Sequence, residues 1–242
     1  MGAIDARRVA RPKWRAYLLL SRISNLPTVW TNVLAAVVAS RAGTDPRTVA
    51  QLAASASLFY MGGMFLNDAC DRRFDAIHRA DRPIPAGDVT AAEAFAIGGA
   101  LLLGGETSLA VAGFAHALPW GIGLAAAIVV YNVWHKGNPV GPILMGVCRG
   151  LVYAVGASAV AGSISPRVAA AGLAITSYVA VVTLVAKYAG RQVGWTIPWL
   201  IAGISLVDAL VILWSGGPAA LALPAAAGFV LTLAFQRAVP GT

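Results

Sequence analysis

Charge is scarce in this chain. Only 12% of its 242 residues are Asp, Glu, Lys or Arg, about half the proportion found in soluble domains. Hydrophobic residues make up 58% and the mean hydropathy is +0.73, which excludes an ordinary water-soluble globular enzyme. Cysteine is nearly absent. Of the two present, Cys70 lies in a charged stretch and Cys148 in an apolar one, so neither a structural disulfide nor a zinc site is expected. Acidic residues are the rarest charged class, ten against eighteen Lys and Arg, for a net charge of +8. The basic excess is no nucleic-acid signature. It falls in short segments between apolar runs, as positive-inside membrane topology requires.

Long apolar runs are what the chain has in quantity. A membrane-spanning helix needs about 20 apolar residues. Eight runs qualify: 24–41, 49–69, 90–107, 117–134, 140–162, 167–188, 195–214 and 218–236. The expected fold is all-α, a polytopic bundle of about eight transmembrane helices forming one domain over residues 1–242. Gly98, Gly99, Gly104 and Gly105 in the third run allow close helix approach in lipid. Ahead of the first run, Arg7, Arg8, Arg11, Lys13, Arg15 and Arg22 accompany Trp14 and Tyr17, the composition of an interfacial lead-in. A cleaved leader fits less well, because the run that follows is long and carries Asn25 and Asn32. With the N-terminus inside a cell membrane, every basic residue except Arg41, Arg47 and Arg167 falls on the cytoplasmic side.

The acids are concentrated in one place. Asp68, Asp71, Asp75 and Asp81 lie within the stretch NDACDRRFDAIHRADRPIPAG at 67–87. On a helix, Asn67, Asp71 and Asp75 recur at i, i+4 and i+8 on one face, with Asp68 close by. Carboxylates stacked on one face repel each other. A hard cation removes that cost, and Mg²⁺ takes one or two carboxylates together with water and phosphate oxygens. The interleaved Arg72, Arg73, Arg79 and Arg82 suit an anion beside the metal. Pro83 and Pro85 then end the helix and Gly87 permits a turn.

The string N-D-x-x-D-x-x-x-D followed by D-R-P-I-P-A-G resembles the first aspartate-rich motif and loop of the UbiA superfamily of intramembrane prenyltransferases. The resemblance implies a helix bundle, usually of nine spans and here eight, around a central cavity open to the cytoplasmic side. It implies Mg²⁺ held by Asn67, Asp68, Asp71 and Asp75, the three aspartates being catalytic through that role. It implies a prenyl diphosphate donor and a hydrophobic acceptor, both drawn from membrane lipid surroundings. The segment from Tyr131 and Asn132 to Lys136 is similar to the family's Y-N-x-x-K segment, which assigns Lys136, and more loosely Asn132, to diphosphate. Arg72 joins that set. Arg149 lies inside the fifth run and needs an anionic partner, either diphosphate or an aspartate of the motif. Family first-helix polar residues line the acceptor pocket, which points to Arg22 and Asn25. Snorkelling and interhelical hydrogen bonding are the alternatives for these two. Tyr131, Tyr153, Tyr178 and Phe65 either face an allylic cation or pack, and His78 and His135 either take a proton or sit on the surface.

One departure stands out. The family's second aspartate-rich motif is replaced at 185–191 by VAKYAGR, which has no acid, and the only later acid is Asp208 in the seventh run. Lys187 and Arg191 are then expected to clamp diphosphate directly, in place of a second metal. The expected function is Mg²⁺-dependent prenyl transfer to an aromatic, quinone-precursor or other lipid acceptor. The alternative is a non-catalytic protein that binds or moves a polyprenyl lipid.

Overall fold

A computed structural model describes residues 11–43, 45–188, 194–239 and 241. Among the described residues there are ten α-helices: α1 (Lys13–Ser21), α2 (Leu26–Ser40), α3 (Pro46–His78), α4 (Ala91–Val111), α5 (Leu118–Trp134), α6 (Gly141–Ala161), α7 (Pro166–Tyr188), α8 (Ile197–Ala202), α9 (Ile204–Trp214) and α10 (Ala219–Ala238). Short 3₁₀ turns join α1 to α2 and precede α5 and α8, so the helices group into eight units long and apolar enough to cross a membrane. No strand occurs among the described residues. The eight expected spans are all present. The first is extended at its start by α1, and the second runs nine residues past its expected end, to His78.

The spans alternate in direction. The ends of α3, α5, α7 and α10 therefore share one face of the bundle with the starts of α1, α4 and α6. The motif lies on this face. At the opposite face, Asp45 caps α3 by accepting from the Thr48 amide at 2.9 Å, with Pro46 in the first turn. There Arg41 donates to the carbonyl of Ser215, tying two turns together.

The lead-in is more than an interfacial strand of basic residues. Helix α1 buries Ala16 and Leu20 against Phe65, Ala69, Val89 and Ala94. Lys13 pairs with Glu93 at 3.0 Å, which fixes α1 to the start of α4.

Helix contacts depend on glycine where backbones come closest. A Cβ on Gly98 would stand 2.8 Å from Cγ of Leu66, and one on Gly62 would stand 2.9 Å from the carbonyl oxygen of Gly98. Gly105 similarly abuts the Phe59 ring. Gly99 has nothing within 4 Å. The third run's glycines thus divide into Gly98 and Gly105, pressed tightly on α3, Gly104 in ordinary contact with Leu58, and Gly99 facing open space. Between α6 and α7, Gly146 and Gly150 admit Thr176 in the same way.

This division makes a stability prediction. Gly98→Val is expected to cost about 1–3 kcal/mol through forced overpacking, while Gly99→Ala leaves stability unchanged or raises it by about 1 kcal/mol. Thermal unfolding of the two variants in detergent checks this. Equal losses would show that the α3–α4 approach is not what fixes the helix pair.

Candidate active site

The site begins with the length of α3. Its 33 residues span about 50 Å, against a hydrocarbon core of about 30 Å, so its last turns reach the membrane boundary. They carry Asn67, Asp68, Asp71 and Asp75, all buried at 2–8% exposure. The helical face expected from their spacing exists.

A helix tolerates these carboxylates because other elements bring cations to them. Arg22 donates to Asp68 Oδ1 at 3.0 Å and to Asn67 Oδ1 at 3.4 Å. Arg82 reaches back from the loop and spans Asp68 at 3.1 Å and Asp75 at 3.0 Å. Lys136, just past α5, pairs with Asp71 at 3.1 Å, and His135 Nε2 stands 3.5 Å from the same carboxylate. Lys136 also lies 3.6 Å over the Phe74 ring.

Local backbone geometry aims these cations. Arg22 has φ 45° and ψ 44°, the left-handed region, which costs a non-glycine residue of order 1–3 kcal/mol. That conformation ends α1 and turns the side chain onto α3. The segment after α3 folds into successive turns. Arg82 N–H donates to Arg79 C=O, Ala86 N–H to Arg82 C=O, and Asp88 N–H to Pro83 C=O. Gly87 closes the series at φ +79°, a conformation glycine adopts without strain. Asn132 orients the first ligand candidate. It accepts from Asn67 Nδ2 at 3.1 Å and donates to the Gly63 carbonyl at 3.1 Å, which leaves Asn67 Oδ1 facing the acids. Tyr131 stacks on His135 with ring centroids 4.7 Å apart.

Several expected site residues are placed elsewhere. Arg72 donates to the Ala69 carbonyl and sits 5.8 Å from the centre of the Phe95 ring on α4. It turns toward α4, and Arg82 takes the position among the acids instead. Asn25 spends its amide on the C-terminal segment, accepting from Gln236 at 2.7 Å and donating to Gly241 at 3.0 Å. Tyr153 is fully buried and donates to Asp208 at 2.6 Å. Arg149 meets neither the motif aspartates nor their cations, and its contacts are Asn32, Thr28 and Tyr60. Lys187 reaches across to the Asn138 carbonyl at 3.0 Å, and Arg191 lies outside the described residues. His78 stacks on Phe74 and is exposed. Phe65 is core, and the Tyr178 hydroxyl donates to the Leu200 carbonyl.

The donor set fits a hard divalent cation. It consists of carboxylate and amide oxygens, with no thiolate among them. A side-chain cation, Arg82, already stands between Asp68 and Asp75, showing that this space accepts positive charge. Among the described residues no three His, Cys, Asp or Glu side chains converge on one point. Mg²⁺ needs only one or two protein carboxylates and completes its shell with phosphate oxygens and water.

An apolar groove of about 600 Å³ opens between α2, α3 and α10, lined by Trp30, Leu34, Val49, Pro224 and Leu231 among others. It lies toward the opposite end of α3. Ala53 on its wall precedes Asp68 by fifteen residues, about 22 Å along the helix.

Eight helices long and apolar enough to cross a membrane, with a buried carboxylate face on the second, define a polytopic membrane protein with a charged cluster at one face of the bundle. The sequence model of the UbiA prenyltransferase family matches residues 27–240, and the chain belongs to that family. It is similar to the digeranylgeranylglyceryl phosphate synthase of Methanoculleus marisnigri, 34% identical over 52% of this chain and 44% of that protein. It is also similar to the protein of the same name from Ignicoccus hospitalis, 40% identical over 42% of this chain and 33% of that protein. The match thus spans less than half the length of these curated relatives. In fold it is similar to a UbiA homologue from Archaeoglobus fulgidus bound to GPP and Mg²⁺, with TM-score 0.63 at 13% identity over 94% of this chain and 100% of that one. A UbiA homologue from Aeropyrum pernix K1 gives TM-score 0.59 at 18% identity, over 90% and 95%.

Arg82 supplies a direct check on the site. Arg82→Gln leaves Asp68 and Asp75 with one fewer cation, which is expected to cost about 3 kcal/mol without metal. Millimolar Mg²⁺ is expected to recover most of that loss. Thermal unfolding with and without Mg²⁺ measures both. A loss that Mg²⁺ does not touch would remove the carboxylates from the metal-binding account.

Proposed function

We propose that the protein transfers an isoprenoid chain from a prenyl diphosphate to a membrane-resident acceptor. The observation that carries this reading is the set of buried carboxylates on α3, each matched by a cation from another element, at the end of an apolar bundle. Asn67 Oδ1, Asp68, Asp71 and Asp75 are the groups that would hold Mg²⁺. When bound, the metal supplies charge neutralisation to the diphosphate leaving group.

The protein's own side chains do the rest. Arg82 and Lys136 are cations paired to carboxylates. With a metal holding those carboxylates, these two would be free to donate to diphosphate oxygens. Placed there, they stabilise the negative charge that grows as the allylic C–O bond breaks. The apolar walls keep water from the cation that remains on the chain. The acceptor then bonds to C1 of that chain, and His135 Nε2, beside Asp71, is positioned to take up its proton. The homologue solved with GPP and Mg²⁺ supports the donor class, and the named relatives support transfer to a membrane lipid. The bias of Lys and Arg toward the motif face supports a multi-pass protein of the cell membrane with that face cytoplasmic.

One observation favours a second reading. The stretch 185–191 has no acid, so a protein that binds and carries a polyprenyl lipid without cleaving it would keep what is present here. Diphosphate release from geranyl diphosphate separates the two. Transfer predicts release that requires Mg²⁺ and falls roughly 100-fold or more in Asp71→Asn, while donor affinity changes far less. Donor binding by the wild type with no release under any acceptor would replace transfer with carriage.

A further inference from the structure

A second polar assembly lies deeper in the bundle. Asp208 sits in the aliphatic run of α9 and is fully buried. Its carboxylate is saturated. It accepts from Thr31 Oγ1 at 2.6 Å, from Tyr153 Oη at 2.6 Å, and from Asn32 Nδ2 at 2.8 Å to both oxygens. The other end of the Asn32 amide accepts from Arg149 at 2.8 Å, and Thr28 Oγ1 accepts from the same guanidinium at 3.1 Å. One amide therefore separates an acid from a base inside the membrane, and α2, α6 and α9 are joined by the chain of bonds.

Arg149 is the unfinished member. A guanidinium has five N–H donors, and its hydrogen bonds go only to Asn32 and Thr28, both neutral. Among the described residues no carboxylate forms an ion pair with it, and the Tyr60 ring lies 5.4 Å from its centre. A cation at this depth costs several kcal/mol in lipid, and such residues face interior space rather than hydrocarbon. Arg149 is half-buried, as is Tyr60 beside it. Tyr60 precedes Asp68 by eight residues on α3, about 12 Å deeper. Arg149 contacts none of the motif aspartates, which makes its anion site separate from theirs.

We propose that Arg149 is the binding site for an acidic group, carboxylate or phosphate, on the acceptor molecule, and that the Asp208–Asn32–Tyr153 network is the brace that fixes its guanidinium. The identification of the bound molecule as acceptor rests on the prenyltransferase reading; the anion site itself does not. An acceptor anchored there places its nucleophilic end toward the donor's C1 at the aspartates. Bidentate pairing with a planar fork selects carboxylate or phosphate over a neutral isostere.

The test is ligand-dependent thermal stabilisation of the full chain in detergent, with benzoate, phenyl phosphate and benzamide as probes. The wild type is expected to respond to at least one acidic probe and not to benzamide; which acid binds more tightly tells a carboxylate acceptor from a phosphate one. Arg149→Gln is expected to weaken acidic-probe binding at least tenfold, while stabilisation by pyrophosphate with Mg²⁺ stays within twofold. Should Arg149→Gln not fold, Arg149→Lys keeps the charge without the fork and is expected to bind the preferred acid about tenfold more weakly. Asp208→Asn tests the brace and is expected to weaken the acidic probe without affecting pyrophosphate. Equal responses of wild type and Arg149→Gln to the acids, or a benzamide response equal to benzoate, would overturn the site. Acid binding that depends on Arg149 in a protein that never cleaves prenyl diphosphate would keep the site and discard the transferase reading.

Discussion

Neutralising buried carboxylates at the end of α3 is the constraint on which the motif face depends. Asp68, Asp71 and Asp75 cannot share one buried helix face as free anions. Their cations come from different elements: the break between α1 and α2 supplies Arg22, the loop before α4 supplies Arg82, and the end of α5 supplies Lys136. The same contacts that make the acids tolerable hold four parts of the chain in register. They also leave a set of cations beside carboxylates suited to a metal, so folding and binding use the same groups.

The bundle behind this face serves two purposes. Its apolar helices come close at Gly62–Gly98 and Gly146–Thr176, and in the proposed reaction they would keep water out. Several of its interior polar groups are gathered in one place. Thr28, Thr31, Asn32, Arg149, Tyr153 and Asp208 form one connected network, which lowers the cost of holding them away from water. The two polar regions differ in balance. At the motif face Asp68, Asp71 and Asp75 each meet a cation directly, whereas in the interior the acid and the base are kept apart by an amide.

Much of this was legible in the sequence. Apolar runs of spanning length, punctuated by basic segments, gave the number of helices, because the bilayer fixes both length and charge placement. The acid face followed from i, i+4, i+8 spacing. Pairing was not legible. Arg72 and Arg82 are equally plausible partners on composition, and only the turn series from Pro83 to Gly87 decides for Arg82. Nothing in the residues around Arg22 signals its left-handed backbone. Asn25 and Tyr153 read as pocket residues because they are polar at membrane depth. Their partners, Gln236, Gly241 and Asp208, are remote in sequence and no local pattern announces them. Asp208 was visible as a lone acid in an aliphatic run, a signal that it has partners but not of which ones.

The most direct test of the central claim is a structure of the protein with Mn²⁺ in place of Mg²⁺ and a non-cleavable prenyl thiodiphosphate, located by anomalous scattering. The account predicts the metal bonded to at least two of Asn67, Asp68, Asp71 and Asp75. It also predicts Arg82 and Lys136 drawn from their carboxylates onto diphosphate oxygens. Diphosphate bound elsewhere, with Arg82 still spanning Asp68 and Asp75, would show that these ion pairs are structural and contradict it.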